Sequence, residues 1–400
     1  MNAEGERIAA LRRDVARMAG VQPQDTLVVR SPYRVCPLGA HVDHQLGVVT
    51  GLAIQEALLF GFAPCRDKGV RVRSRNFKGE VALDLDGVPP QPLDNWGDYL
   101  RGAAWALCRK HALNHGLTGM VDGYDNVGGL SSSAAAGIAY LLALERANGL
   151  EPSYKENIEL DRLIENEYLG LSNGILDQST ILLSRAGRLT SIDCRSGEST
   201  LHPCGAAAAV RALILYSGLS AQLLDTDYNR RVAECGQAAR LLLEAADMQV
   251  AQAPRLRHVP AEVFEAHGDA LPQKELRRAR HFFGEQRRVR RGIVLWRKGD
   301  LEGFGRLMNE SGRSSVENYE CGNAYLRTAC RVLRETPGVL GARFSGAGFR
   351  GCCIGLTARD VSEEMRGDIL RRYVAEHPDM EGRAEVRACA SADGAGFVDD

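Results

Sequence analysis

Between Pro32 and His44 the chain reads PYRVCPLGAHVDH, which sets His41, Asp43 and His44 within four residues. Imidazole and carboxylate groups this close together serve three ends: ligating a metal, hydrogen-bonding a polyol, or finishing a polar turn. A second run, NVGGLSSSAAAGIAYLLALERANG, spans 126–149. Gly128 and Gly129 open backbone angles closed to other residues, and Ser131 stands where a helix N-cap is expected. Ile138, Leu141 and Leu142 then mark an apolar helix that stops at Asn148-Gly149. A glycine loop feeding a helix offers free backbone N–H groups and the positive end of a dipole to an anion. The hydroxyls of Ser131, Ser132 and Ser133 suit phosphate oxygens or Mg2+; a small-residue turn capping a core helix fits the same letters. The GxxxxGK(S/T) pattern of P-loop NTPases is missing, as are the DFG and HRD signatures of protein kinases. A third run, SGAGFRGCCIGL, matches GxGxxG through Gly346, Gly348 and Gly351. The strand-like Cys352–Leu356 follows it where a dinucleotide site needs a helix, so it reads as a turn where backbone approaches something closely.

These groups need a scaffold. Ile8, Leu11, Val15 and Met18 recur at helical spacing near the start, and charges interrupt every apolar run there, so no secretory signal is expected. Val48–Pro64, the longest apolar run, contains Gln55 and Glu56 and is too short to span a bilayer, which predicts buried strands and no membrane partner. Strand-like runs come early (DTLVVRSPY, GVRVRS, EVALDLDG) and helices follow from Trp96 onward. VRALILYS, from Val210, begins afresh after a polar stretch, placing a domain boundary near 205 and domains at 1–205 and 206–400. Strands and helices in blocks argue for an α+β architecture. The 50 Lys and Arg balance 51 Asp and Glu, and the short RVRR near 288 reads as a solvated helix face, so no nucleic-acid partner is expected. Eleven cysteines without CxxC or zinc spacing, with Cys352 and Cys353 in an apolar run, predict reduced core thiols and a cytoplasmic protein. Nothing points to an obligate protein partner.

The three runs together resemble the motifs of the GHMP small-molecule kinases, which include galactokinase, homoserine kinase and mevalonate kinase. NWGDYLRGA, NGILDQ, SIDCRS, DYNRRVAEC and FGRLMNESGRSS extend the likeness to galactokinases over almost the whole chain. CPLGAH and GARFSGAGFRGCC look like the branch that phosphorylates galacturonic acid at its anomeric carbon. The resemblance implies a two-domain fold with its active site in the interdomain cleft, an ATP- and Mg2+-dependent transfer, and galacturonate 1-phosphate as product. It implies that Gly128, Gly129, Leu130, Ser131, Ser132 and Ser133 cradle the ATP phosphates. Ser132 and Glu165 would then hold Mg2+, and adenine would stack on Trp96. It assigns catalysis to Asp177, beside the anomeric hydroxyl, and to Arg34, beside both Asp177 and the phosphates. It gives the ring hydroxyls to His41, Asp43 and Tyr228, so the His-x-Asp-His cluster is read as a sugar cradle.

Two departures bear on the substrate. Galactokinases carry Glu, facing the sugar's 6-hydroxyl, where this chain has Ala40. A carboxylate there would repel a 6-carboxylate ~4 Å away by about 4 kcal/mol at an effective dielectric near 20. Arg350 replaces a glycine of the third motif and offers a cation to the uronate, as do His44 and Tyr33 a polar contact. A family histidine is Gly312 here. The other readings are a galactokinase or another sugar 1-kinase, with Ala40 neutral drift, and a sugar sensor without catalysis.

Overall fold

The computed structural model describes residues 3–125, 127–206, 209–219, 227–349 and 351–398. Its strands are β1 Leu27–Val35, β2 Val48–Pro64, β3 Gly69–Ser74, β4 Glu80–Asp84, β5 Leu117–Asp122, β6 Arg188–Asp193, β7 Ser199–Pro203, β8 Arg211–Tyr216, β9 Val339–Phe344, β10 Cys352–Thr357, β11 Glu385–Ala390 and β12 Gly396–Phe397. Its helices are α1 Ala3–Ala19, α2 Asp98–Cys108, α3 Ser132–Ala147, α4 Tyr154–Leu163, α5 Leu176–Leu183, α6 Tyr228–Ala245, α7 Ala261–His267, α8 Gln273–Lys298, α9 Leu301–Glu317, α10 Ala324–Arg334 and α11 Glu363–Glu376. Among the described residues no helix is long and apolar enough to cross a membrane.

Two sheets divide the strands. The first runs β12-β1-β2-β5-β3-β4, with β6 on the far half of β2 and β7 on β6; the second is the antiparallel β11-β8-β10-β9. Val48–Pro64 forms one continuous strand rather than several, because a bulge absorbs Gln55 and Glu56: Pro32 faces Ala57 while Arg34 faces Ala53. The bulge widens β2 opposite Tyr33 and lets it serve β1 and β5 at one end and β6 at the other. Helix α3 packs its alanine and leucine face over β1 and β2, so the glycine–serine loop that feeds it opens beside the end of β1.

The second sheet approaches this loop through the turn between β9 and β10. A Cβ on Gly351 would stand 2.4 Å from Gly128 O, and one on Gly346 would stand 2.8 Å from Gly129 Cα. The two glycine runs therefore meet backbone to backbone, and glycine is required at both. Of the RVRR stretch, Arg290 and Arg291 are solvated, but Arg288 turns to the buried Glu285, 2.6 Å away. Cys352 and Cys353 are buried free thiols.

Candidate active site

A cavity of about 1090 Å3 lies where the two glycine runs meet. On its floor Arg34 leaves β1 and donates from Nε to Asp177 Oδ1 at 2.7 Å, and from Nη1 to Gly129 O at 3.1 Å. Asp177 sits in the first turn of α5, and its Oδ2 accepts from the Ser131 hydroxyl. Burial opposes the charge of Arg34, but the Asp177 carboxylate outweighs it and raises the guanidinium's pKa. Arg34 is the single Lys or Arg among the described lining residues, against the carboxyl groups of Asp43, Asp94, Asp98, Asp125, Glu165 and Asp177.

Two residues of the glycine–serine loop depart from expectation. Ser131 precedes α3 in a left-handed conformation (φ 58°) and makes no side-chain cap; its hydroxyl is committed to Asp177 instead. Leu130 buries its side chain completely, and only its carbonyl serves the site, accepting from Arg34 N at 3.1 Å. Gly128, Gly129, Ser131, Ser132 and Ser133 line the cavity. Ser133 also shares a hydrogen bond with Tyr99 of α2, a lining residue that the sequence reading missed.

Glu165 reaches the same space from a π-helical turn, Ile164–Tyr168, that continues α4. It is 1 % exposed, accepts from Asn173 Nδ2 at 2.9 Å, and is pushed up to about 8 by burial and then by the Asp177 charge. Behind it Asp161 is fully buried with neither carboxylate oxygen hydrogen-bonded, and burial followed by Glu165 holds its pKa well above the usual range.

At the other end the sugar motif folds into a tight turn. His41 adopts φ 61°, and Asp43 begins a 3-10 turn against Gly174, where a Cβ would stand 2.5 Å from Asp43 Oδ2. Burial, then the Asp177 charge, lifts Asp43 to about 6. Ala40, His41, Asp43 and Tyr228 all line the cavity, and burial keeps the Tyr228 hydroxyl protonated. Ala40 O accepts from His281 at 3.0 Å, so His281 Nε2 carries the proton and Nδ1 accepts from Ser314 Oγ. His44 does not reach the cavity: the Gln45 amide donates to its Nδ1 at 2.9 Å, and its Nε2 meets the Tyr319 hydroxyl at 3.1 Å. Burial lowers it to about 3, leaving it a neutral strut. Among the described residues no three His, Cys, Asp or Glu side chains converge to hold a metal ion.

Trp96 stands at the cavity wall in a stack with Phe77, centroids 6.1 Å apart and planes 10° from parallel. Phe77 is 56 % exposed and no sequence signal marked it; only the fold brings it to Trp96. Tyr33 lines the cavity with its hydroxyl accepting from Tyr124 N at 3.2 Å. Arg350 lies outside the described residues.

Residues 98–185 match the model of the GHMP kinases N-terminal domain, and residues 293–378 that of the GHMP kinases C-terminal region. A galacturonokinase of Arabidopsis thaliana is 43 % identical, covering 96 % of this chain and 97 % of its own. A galactokinase of Roseiflexus sp. is 31 % identical over 98 % of this chain and 97 % of its own. The crystal structure of Lactococcus lactis galactokinase complexed with galactose superposes with a TM-score of 0.88 at 27 % identity, covering 98 % of this chain and all of that one. A mevalonate kinase structure, at 16 % identity and a TM-score of 0.63 over 92 % of this chain and 99 % of its own, shares the fold.

Proposed function

Since this chain belongs to the GHMP kinases, in their galactokinase-like family, we propose that it transfers the γ-phosphoryl group of ATP to the anomeric hydroxyl of D-galacturonic acid, yielding galacturonate 1-phosphate. The observation that carries this reading is the Asp177 carboxylate, fixed by Arg34 and Ser131 at the mouth of the glycine–serine loop. The full-length likeness to a galacturonokinase and the small side chain at Ala40 support the uronate over the parent hexose.

The anomeric hydroxyl gives its proton to Asp177 as its oxygen attacks the γ-phosphorus directly and in line, and the bond from that phosphorus to the β–γ bridging oxygen breaks to release ADP. Arg34 orients Asp177 and stabilises charge spreading over the transferred group. Gly128 and Gly129 bring backbone N–H groups against the phosphates, Leu130 contributes only backbone, and Ser131 orients Asp177. Trp96, backed by Phe77, offers a face to adenine. His41, Asp43 and Tyr228 take the ring hydroxyls. Arg350 keeps its assignment to the substrate from motif position alone.

The described lining residues fit Mg2+: six carboxyl groups against one guanidinium favour a polyphosphate that arrives with a cation. Ser132 and Glu165 would hold it, two oxygen ligands being what an ion that keeps waters and phosphate oxygens requires. Bound there, it would supply positive charge to the phosphate groups. Free thiols at all eleven cysteines support a reducing, cytoplasmic setting. A division into 1–205 and 206–400 follows the two sheets except for β12, which returns to the first.

An ADP-release assay across galacturonate, glucuronate, galactose and arabinose, with the product's phosphate located by NMR, tests the proposal. Galacturonate should give the highest kcat/KM. Asp177→Asn should keep ATP binding and lose turnover by ~10²–10⁴. Galactose preferred over galacturonate would establish a galactokinase; no ADP release with any sugar would establish a sensor.

A further inference from the structure

Helix α1 packs mainly over β2 and β5 and leaves the outer face of β3 open. Val70 and Val72 turn inward and are fully buried, while Arg71 and Arg73 alternate onto the open face. Arg75, just past the strand, continues the row. Between this row and the end of α1 lies a second cavity, of about 520 Å3, which the proposed phosphoryl transfer does not use. That volume falls within the range of small-molecule sites. Arg17 borders it from α1, and the half-buried Met18 and Met120 give it apolar walls. Asp14 is its one acidic residue among those described.

The cations here outnumber their partners. Arg71 and Arg73 share the single carboxylate of Glu80, donating from Nε to Oε1 at 3.1 Å and to Oε2 at 2.7 Å respectively. Arg75 donates to Asp14 Oδ2 at 2.6 Å and to Asp122 Oδ2 at 3.0 Å. Arg17 also holds Asp14, and Arg7 also holds Asp122. Five guanidiniums thus face three carboxylates, leaving positive charge in excess around one concavity. The hydrogen bonds from Arg75 and Arg17 lower the pKa of Asp14, and those from Arg71 and Arg73 lower that of Glu80, so both stay ionised at neutral pH. Among the described residues the Nη groups of Arg73 have no hydrogen-bond partner. Ion pairs this exposed add little to stability. What the row does present is a set of planar donors, each able to meet two phosphate oxygens at once.

We propose that the cavity between α1 and β3 binds a phosphate-bearing metabolite, apart from the catalytic cavity. Arg17, Arg71 and Arg73 grip the phosphate, and Met18 and Met120 pack against the remainder of the ligand. Methionine, flexible and polarisable, suits a surface that must adapt to a ring. None of these residues lines the catalytic cavity, so the site stands whichever sugar the kinase takes.

Calorimetric titration of the full chain at fixed ionic strength, with inorganic pyrophosphate, UDP and glucose 1-phosphate as probes, tests the site. The wild type should bind at least one of them. The double variant Arg71→Gln/Arg73→Gln should weaken that binding by ~10-fold or more, through lost charge-assisted hydrogen bonds, with kcat and the KM for sugar unchanged. Arg17→Gln, on the opposite wall and away from Glu80, should weaken it as well, and it decides the matter if the double variant does not fold. UDP bound more tightly than pyrophosphate would uphold the site as one for a nucleotide. Glucose 1-phosphate bound most tightly would uphold it as one for a sugar phosphate, and equal affinities as one for the phosphate group alone. No binding of any probe would overturn the proposal. So would binding that these variants leave intact, which would place the probe in the catalytic cavity.

Discussion

At the residue scale, selectivity and protonation are set by few side chains. Ala40→Glu would place a carboxylate in the turn that now ends at a methyl group. Galacturonate kcat/KM should then fall by roughly three decades relative to galactose, the worth of about 4 kcal/mol of like-charge repulsion. Paired assays on the two sugars read the ratio, which misfolding would leave unchanged. Asp43 supplies a pH dependence. Burial and Asp177 raise it to about 6, so it is ionised above that pH and protonated below. An ionised Asp43 accepts from a ring hydroxyl, and galacturonate KM should therefore rise as pH falls through about 6, while Asp43→Asn removes that limb. Steady-state kinetics from pH 5 to 8 provides the check. His41, Asp43 and Asp177 were legible because their spacing and motif letters are local. Phe77, Tyr99 and Asp161 were not, since each acquires meaning only from partners on remote segments, as Phe77 does from Trp96.

Among the elements, strands and helices followed from periodicity and breaker residues, and the α+β class with them. What periodicity did not disclose was the single β2 with its bulge, because an extra pair of residues leaves the apolar run unbroken on either side. Nor did it show that Ser131 forgoes capping, which depends on its left-handed backbone and on Asp177 across from it. The apposition of the two glycine runs carries its own prediction. Gly351 has φ 99°, and a Cβ there meets Gly128 O at 2.4 Å. Gly351→Ala should cost about 1–3 kcal/mol of stability, through strain at this backbone, and raise KM for ATP well above its effect on the sugar. Thermal unfolding together with separate KM values for the two substrates would measure both parts; an unchanged ATP KM would detach this contact from the phosphate cradle.

On the scale of the whole molecule, the segment after β11 ties the second half of the chain to the first. Ala392 N donates to Ala53 O, Gly394 N to Ser184 O, Ala395 N to Ile181 O and Val398 N to Val28 O, and β12 pairs with β1. Ending the chain at Ala390 should lower stability by about 2–6 kcal/mol, at ~0.5–1.5 for each of those hydrogen bonds. Urea unfolding of the shortened protein reads this, and an unchanged midpoint would show the segment to be dispensable. A boundary near 205, drawn from a fresh strand-like run after a polar stretch, had no means of registering this return, because strand pairing between distant residues leaves no local mark.

That return has a consequence in time. On the ribosome β12 appears about 360 residues after β1, a wait of roughly 20–70 s at ~5–20 residues per second. Throughout it, the outer edge of β1, with Val28 and Val29, offers unpaired backbone to any neighbouring nascent chain. Among the described strands, the one that carries Arg34 into the active site thus waits longest for its last edge partner.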